Sequence, residues 1–178
     1  MNLNAVIDAS PLIYFAKLDQ LALLSRVVGP IGITPAVINE TIHAGRGRHK
    51  SDARRIQQAV TDGQLITIAL TASEESITRQ LYEHSPLGRG ECEVIACAHQ
   101  RQLKAILHDK KARNIAVQHT IQTISPANVL FYALLRRQIS FPMFKELLDG
   151  LAILTGMSAA TLLEQQAIAE EIARRLEE

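Results

Sequence analysis

The chain has no tryptophan, and only three tyrosines and four phenylalanines. A platform of aromatic rings on which successive bases could stack therefore has little material here. Cysteine is nearly absent. Cys92 and Cys97 stand five apart in a stretch that reads as helix, so their side chains do not face each other as a disulfide requires. They form no C-x-x-C pair and no Cys/His spacing suited to zinc, and two small buried thiols are expected. No run of about 18 apolar residues occurs, which leaves no candidate membrane span. The start of the chain shows no basic segment followed by an apolar stretch and a small-residue cleavage site, so a cytoplasmic location is expected. Neither sign of charge dominates: 19 Lys and Arg stand against 18 Asp and Glu, a net +1. The overall balance does not mark a nucleic-acid binder. A G-x-x-x-x-G-K-[ST] loop is also missing, which argues against an NTPase.

What is present begins with Asn4-Ala5-Val6-Ile7-Asp8-Ala9-Ser10-Pro11. This reads as a short buried strand ending at an aspartate, followed at once by a helix. Ser10 suits the N-cap, and Pro11 the first helical position, where its missing N–H costs nothing. An acid at the C-terminal end of a first strand lies where open α/β sheets place their ligand crevices. Further strands are expected at 31–33, 65–68, 105–107 and 121–124. Helices are expected between them, with cap-plus-proline starts at Thr34-Pro35 and Ser125-Pro126 and a capping box at Thr71-x-x-Glu74. Alternating strands and helices imply right-handed βαβ units and a mostly parallel sheet of about five strands in an α/β fold. Beyond residue 125 the pattern is helical only, over about 126–138, 141–154 and 158–176. At 178 residues and 47% hydrophobic content, one structural domain is expected.

The candidate chemistry is acidic. Asp8 ends the first strand and Asp109 ends the fourth. If these strands are neighbours, the backbones carrying the two carboxylates lie about 5 Å apart. Glu91 and Glu93 open the helix that feeds the fourth strand, and Glu40 lies late in the helix after the second. Carboxylates gathered in one pocket cannot all stay ionised without a counter-charge. A hard divalent cation supplies it, and with no zinc ligands the fitting ion is Mg²⁺ or Mn²⁺. Asp8, Asp109, Glu91 and Glu93 are the candidate metal ligands and, with Glu40, the candidate catalytic residues. Ser10 can cap a helix or orient Asp8. Arg46, Arg48 and Lys50 form one basic group, and Lys110, Lys111 and Arg113 a second; both can contact phosphates.

Taken in order, Ile7-Asp8-Ala9-Ser10-Pro11-Leu12-Ile13, Pro35-x-x-x-x-Glu40, Gly88-x-Gly90-Glu91-x-Glu93-x-Ile95-Ala96-x-Ala98 and Leu107-x-Asp109-x-Lys111-Ala112-Arg113 resemble a PIN domain. The similarity is to the VapC-like subgroup with a G-x-G-E-x-E segment. The resemblance implies a three-layer α/β/α fold with a nuclease core at 1–124. The helices at 125–178 would then be a C-terminal extension packed on that core. It further implies Mg²⁺- or Mn²⁺-dependent cleavage of RNA or single-stranded nucleic acid, and a role as the toxin of a toxin–antitoxin pair. Its partners would be a small antitoxin protein and a second copy in a homodimer. Asp8, Glu40 and Asp109 match the family's acidic site, and the third acid falls on Glu91 or Glu93. His108 departs from the pattern, because many relatives carry a second aspartate there. The competing readings are a non-catalytic binding or interaction module with a degenerate metal site, and an aspartyl phosphatase. The second fails because Ser10 stands where that chemistry needs a second aspartate.

Overall fold

Ala5-Val6-Ile7 carries no polar side chain, as suits a strand covered on both faces, and all three residues are fully buried. In a computed structural model describing residues 3–44 and 51–177, this strand, β1, is the centre of the sheet. The elements that follow are α1 (Ala9–Lys17), α2 (Leu21–Val28), β2 (Ile31–Ile33), α3 (Pro35–Ile38), a π-helical segment (Asn39–His43) and α4 (Ser51–Thr61). Next come β3 (Leu65–Thr67), α5 (Ala72–His84), α6 (Arg89–Arg101), β4 (Lys104–Ile106), α7 (Lys110–Gln118) and β5 (Thr123–Ile124). The five strands are all parallel, in the order β3-β2-β1-β4-β5. The direction of travel reverses between β3 and β4. Right-handed crossovers then place α1–α4 on one face and α5–α7 on the other, giving three α/β/α layers.

The chain enters β1 beside Gly29, whose φ of +92° is open to glycine and strained for other residues. A Cβ there would stand 2.3 Å from the Asn4 side-chain nitrogen. That nitrogen instead donates to the Val28 carbonyl at 3.0 Å, tying the start of β1 to the end of α2.

Several expected boundaries shift for visible reasons. The helix after β1 begins at Ala9, and its cap is Asp8 rather than Ser10: the Asp8 carboxylate accepts the Ser10 N–H at 3.3 Å. Pro11 therefore falls in the first turn, where its missing N–H still costs nothing. The fifth strand covers only Thr123–Ile124, because the Ile121 N–H closes the end of α7 on the Ala116 carbonyl at 3.0 Å. The helix opened by Pro35 turns π-helical at Asn39, and the Thr41 hydroxyl donates back to the Val37 carbonyl at 2.7 Å. Such bulges recur at functional sites, and this one carries Glu40. The capping box at Thr71 and Glu74 forms as expected. Both cysteines are free and buried.

Met1–Ser125 and Pro126–Glu178 form two compact units. The second consists of α8 (Pro126–Leu135), α9 (Phe141–Thr155) and α10 (Ala159–Glu177), each packed on the other two. The expected helix 126–138 stops at Leu135; the Gln138 N–H returns to the Ala133 carbonyl at 2.9 Å across Arg137, whose φ is 55°. Inside this unit the rings of Phe131 and Phe144 lie 4.9 Å apart. Among the described residues no helix is long and apolar enough to cross a membrane.

Candidate active site

β1 and β4 are neighbours, with Ile7 opposite Ile106. The Asp8 N–H makes the next rung of that ladder, donating to the Ile106 carbonyl at 3.0 Å. Asp8 thus leaves the sheet at its C-terminal rim, and its side chain is only 5% exposed. Burial pushes its carboxyl up to about 6 against the N–H groups of Ala9 and Ser10, and the charges of Glu40 and Asp109 push the same way.

Asp109 follows β4 on the adjacent strand and caps α7, its Oδ1 accepting the Ala112 N–H at 2.9 Å. Glu91 comes to the same rim from α6, the helix that descends into β4. Its Oε2 accepts the Gly88 N–H at 2.9 Å. Burial raises the Glu91 carboxyl, the Gly88 N–H opposes this, and Asp8 and Asp109 add to the rise. Glu40 reaches in from the π-helical segment. Its carboxyl is raised first by burial, opposed by the Gly90 N–H, and raised further by Glu91 and Glu93. Four carboxylates from four separate segments therefore act on one another's charge at one rim. Among the described residues none of these four forms an ion pair with Lys or Arg within 4.0 Å.

Glu93 acts on Glu40 but has both oxygens held elsewhere. It is 1% exposed, and its Oε2 accepts the Ala36 N–H at 2.8 Å while Oε1 meets Arg89 Nε at 3.2 Å. Of the two glutamates that the sequence leaves open as third acid, Glu91 is the one that acts on Asp8 and Asp109.

Among the expected phosphate contacts, Lys110 and Lys111 are exposed at the start of α7. Arg113 is instead turned inward, donating to the carbonyls of Leu107 and His108. Arg46, Arg48 and Lys50 lie outside the described residues. Burial raises the Tyr14 phenol, the Ser10 hydroxyl opposes this, and the Asp8 charge adds to the rise. The Tyr14 ring meets the His108 ring edge to face at 5.2 Å, so an aromatic pair flanks Asp8. Sequence reasoning passed over Tyr14, although its position four residues after Ser10 puts both on one helix face. Burial lowers the His108 imidazole, with Arg113 adding and Asp109 opposing.

As a donor set the rim is all oxygen and all anionic, and it lacks a compensating cation among the described residues. That chemistry fits a hard divalent ion. In the present arrangement, however, no three His, Cys, Asp or Glu side chains among the described residues group closely enough to hold one. A cavity of about 710 Å³ at the opposite ends of β1 and β4, lined by Asn4, Lys104, Gln122, His99 and His119, contains no carboxylate and offers no such chemistry.

A search of curated proteins finds no match to the chain. A family model described as PIN domain matches residues 4–175. PIN domains are in general nucleases, and they typically use divalent metal ions. That match runs through both compact units and includes every acid at the rim; the chain belongs to the PIN-domain family.

Proposed function

We infer that this chain is a Mg²⁺- or Mn²⁺-dependent endonuclease that hydrolyses phosphodiester bonds in RNA or other single-stranded nucleic acid. The observation that carries the reading is the gathering of Asp8, Glu40, Glu91 and Asp109 at one rim with no Lys or Arg paired to them among the described residues. Asp8, Asp109 and Glu91 would hold the ion, with Glu40 beside them. A bound ion supplies Lewis acidity and a water of lowered pKa. The protein's part is orientation. The N–H groups of Ser10, Ala112 and Gly88 fix Asp8, Asp109 and Glu91 respectively, and the Glu40 carboxylate lies against Gly90. Lys110 and Lys111 hold the strand by its phosphates, a contact that weakens as salt rises.

Cleavage of a single-stranded RNA in Mg²⁺ or Mn²⁺ tests this. Asp109→Asn is expected to lower kcat/KM by about 100-fold or more, as loss of a group acting on transition-state charge does. Lys110→Ala with Lys111→Ala is expected to raise KM and flatten its salt dependence, leaving kcat within about threefold. An Asp109→Asn variant as active as wild type would reject the site. Within this proposal the chain acts as a VapC-like toxin held in check by a small antitoxin protein. Induced expression would then stop growth of the host cell with wild type and not with Asp109→Asn. Leu163 (66% exposed) and Ile168 (48%) on α10 support a homodimer, which the mass in solution checks.

One observation favours a second reading. Because no three candidate ligands group closely among the described residues, the fold would also serve a nucleic-acid-binding module without catalysis. RNA binding with neither cleavage nor Mn²⁺ uptake would establish it.

A further inference from the structure

Two carboxylates cross in opposite directions between α6 and the segment that carries Glu40. From α6, buried Glu93 reaches the N–H of Ala36, in the first turn of α3, at 2.8 Å. In return the Glu40 carboxylate lies against Gly90, in the first turn of α6. The residue that would ordinarily close α3 is Thr34, but its side chain makes no capping bond and its Oγ1 is buried without a partner among the described residues. Glu93 does that work from another element. Gly90 answers to the same contact: a Cβ there would stand 2.9 Å and 3.2 Å from the two oxygens of Glu40. Its φ is not in the left-handed region, so space rather than backbone freedom requires the glycine. Glu93 has both oxygens engaged, one on Ala36 and the other on Arg89.

We propose that Glu93 and Gly90 form a reciprocal clasp that positions Glu40 at the acidic rim, and that Glu93 is a positioning residue rather than a ligand of the cation. The functional consequence rests on the nuclease reading above, whereas the clasp itself does not. Regular helical geometry does not place the Glu40 carboxylate, because its backbone is π-helical. The clasp does so by fixing the start of α6 against the start of α3.

Amide hydrogen exchange on the full, metal-free chain tests the clasp directly. In Glu93→Ala, exchange at Ala36 is expected to rise about tenfold or more. Ala112, capped by Asp109 on α7, serves as the control and stays within about twofold. Glu93→Gln keeps an acceptor oxygen, so Ala36 exchange is expected within about threefold of wild type. Gly90→Ala displaces Glu40 and speeds Ala36 exchange, which keeps the test available if Glu93→Ala does not fold. Mn²⁺ titration supplies the second arm. Gly90→Ala weakens Mn²⁺ affinity about as much as Glu40→Gln does, and the double variant is no weaker than either alone. Unchanged Ala36 exchange in Glu93→Ala, or unchanged Ala36 exchange in Gly90→Ala, overturns the clasp. A Glu93→Gln chain that loses Mn²⁺ as fully as Asp8→Asn makes Glu93 a ligand and overturns the assignment. A wild-type chain that takes up no Mn²⁺ defeats the nuclease reading instead, and the exchange arm still decides the clasp.

Discussion

Asp8→Asn is expected to abolish metal-dependent cleavage and, without metal at pH 7, to melt higher than wild type. The Asp8 carboxyl is pushed up from 3.8 to about 6, chiefly by burial, and it lies 5% exposed. Between those two values the folded chain holds a proton that the unfolded chain has released. The stability this gives is fully present below the unfolded value and is lost as pH rises through about 6. At pH 7 the folded protein therefore carries a buried charge that costs up to about 3 kcal/mol. Asparagine removes the charge and keeps an oxygen for the Ser10 N–H. For a chain of this size the gain corresponds to a melting temperature roughly 5–10 °C higher in EDTA. The gap should shrink towards pH 4, where wild-type Asp8 is protonated in the fold. Mn²⁺ should close the gap from the other side, because ligand at about 100 times its Kd stabilises wild type by about 2.7 kcal/mol and the variant hardly at all. A variant less stable than wild type in EDTA at pH 7 would mean that the rim is not under electrostatic strain.

The second large effect lies away from the rim. Arg101, at the end of α6, grips Glu74, near the start of α5, through two nitrogen–oxygen contacts of 2.6 and 2.8 Å. The same guanidinium donates to the Ala69 carbonyl at 2.8 Å. Glu74 is 1% exposed, and its other attachment is the Thr71 N–H at 2.7 Å. Arg101→Met strands this carboxylate in the interior, and the expected loss is about 3–5 kcal/mol in urea unfolding at pH 7. The hydrogen bond from Arg101 is the first cause holding the Glu74 carboxyl below its ordinary value. Stability from this pair is thus present above the usual glutamate range and lost as pH falls through the folded value. The variant should lose that acid-side dependence, and adding Glu74→Gln should recover much of the stability. A loss under about 1 kcal/mol would contradict the account.

Much of the architecture was legible because the chain states it locally. Ala5-Val6-Ile7 has no polar side chain, so it could only be a strand covered on both faces. Thr71 and Glu74 carry their capping box within four residues. The pairing of β1 with β4, on which the meeting of Asp8 and Asp109 depends, was a condition in the sequence and is a fact of the sheet. What stayed hidden were contacts between distant segments. Ser10 looked like the cap because local chemistry favours it, yet Asp8 takes that place. Glu91 and Glu93 are indistinguishable as letters two apart. Only the fold turns one towards Asp8 and Asp109 and the other towards Ala36. Gly90 is only one letter of a motif in the sequence, and the fold shows it inside α6, making room for Glu40.

The order β3-β2-β1-β4-β5 also has a consequence for synthesis. On the ribosome, β1 is made before β2 and pairs with it first, but its other edge stays uncovered until Lys104–Ile106 has been made. At roughly 5–20 residues per second, the stretch from Ala5 to Lys104 takes about 5–20 s. Asp109 follows within a fraction of a second to a second at the same rate. A nascent chain of this protein therefore carries Asp8 with no partner acid beside it from β4 until that strand and Asp109 have been made, and the acidic rim stays incomplete until then.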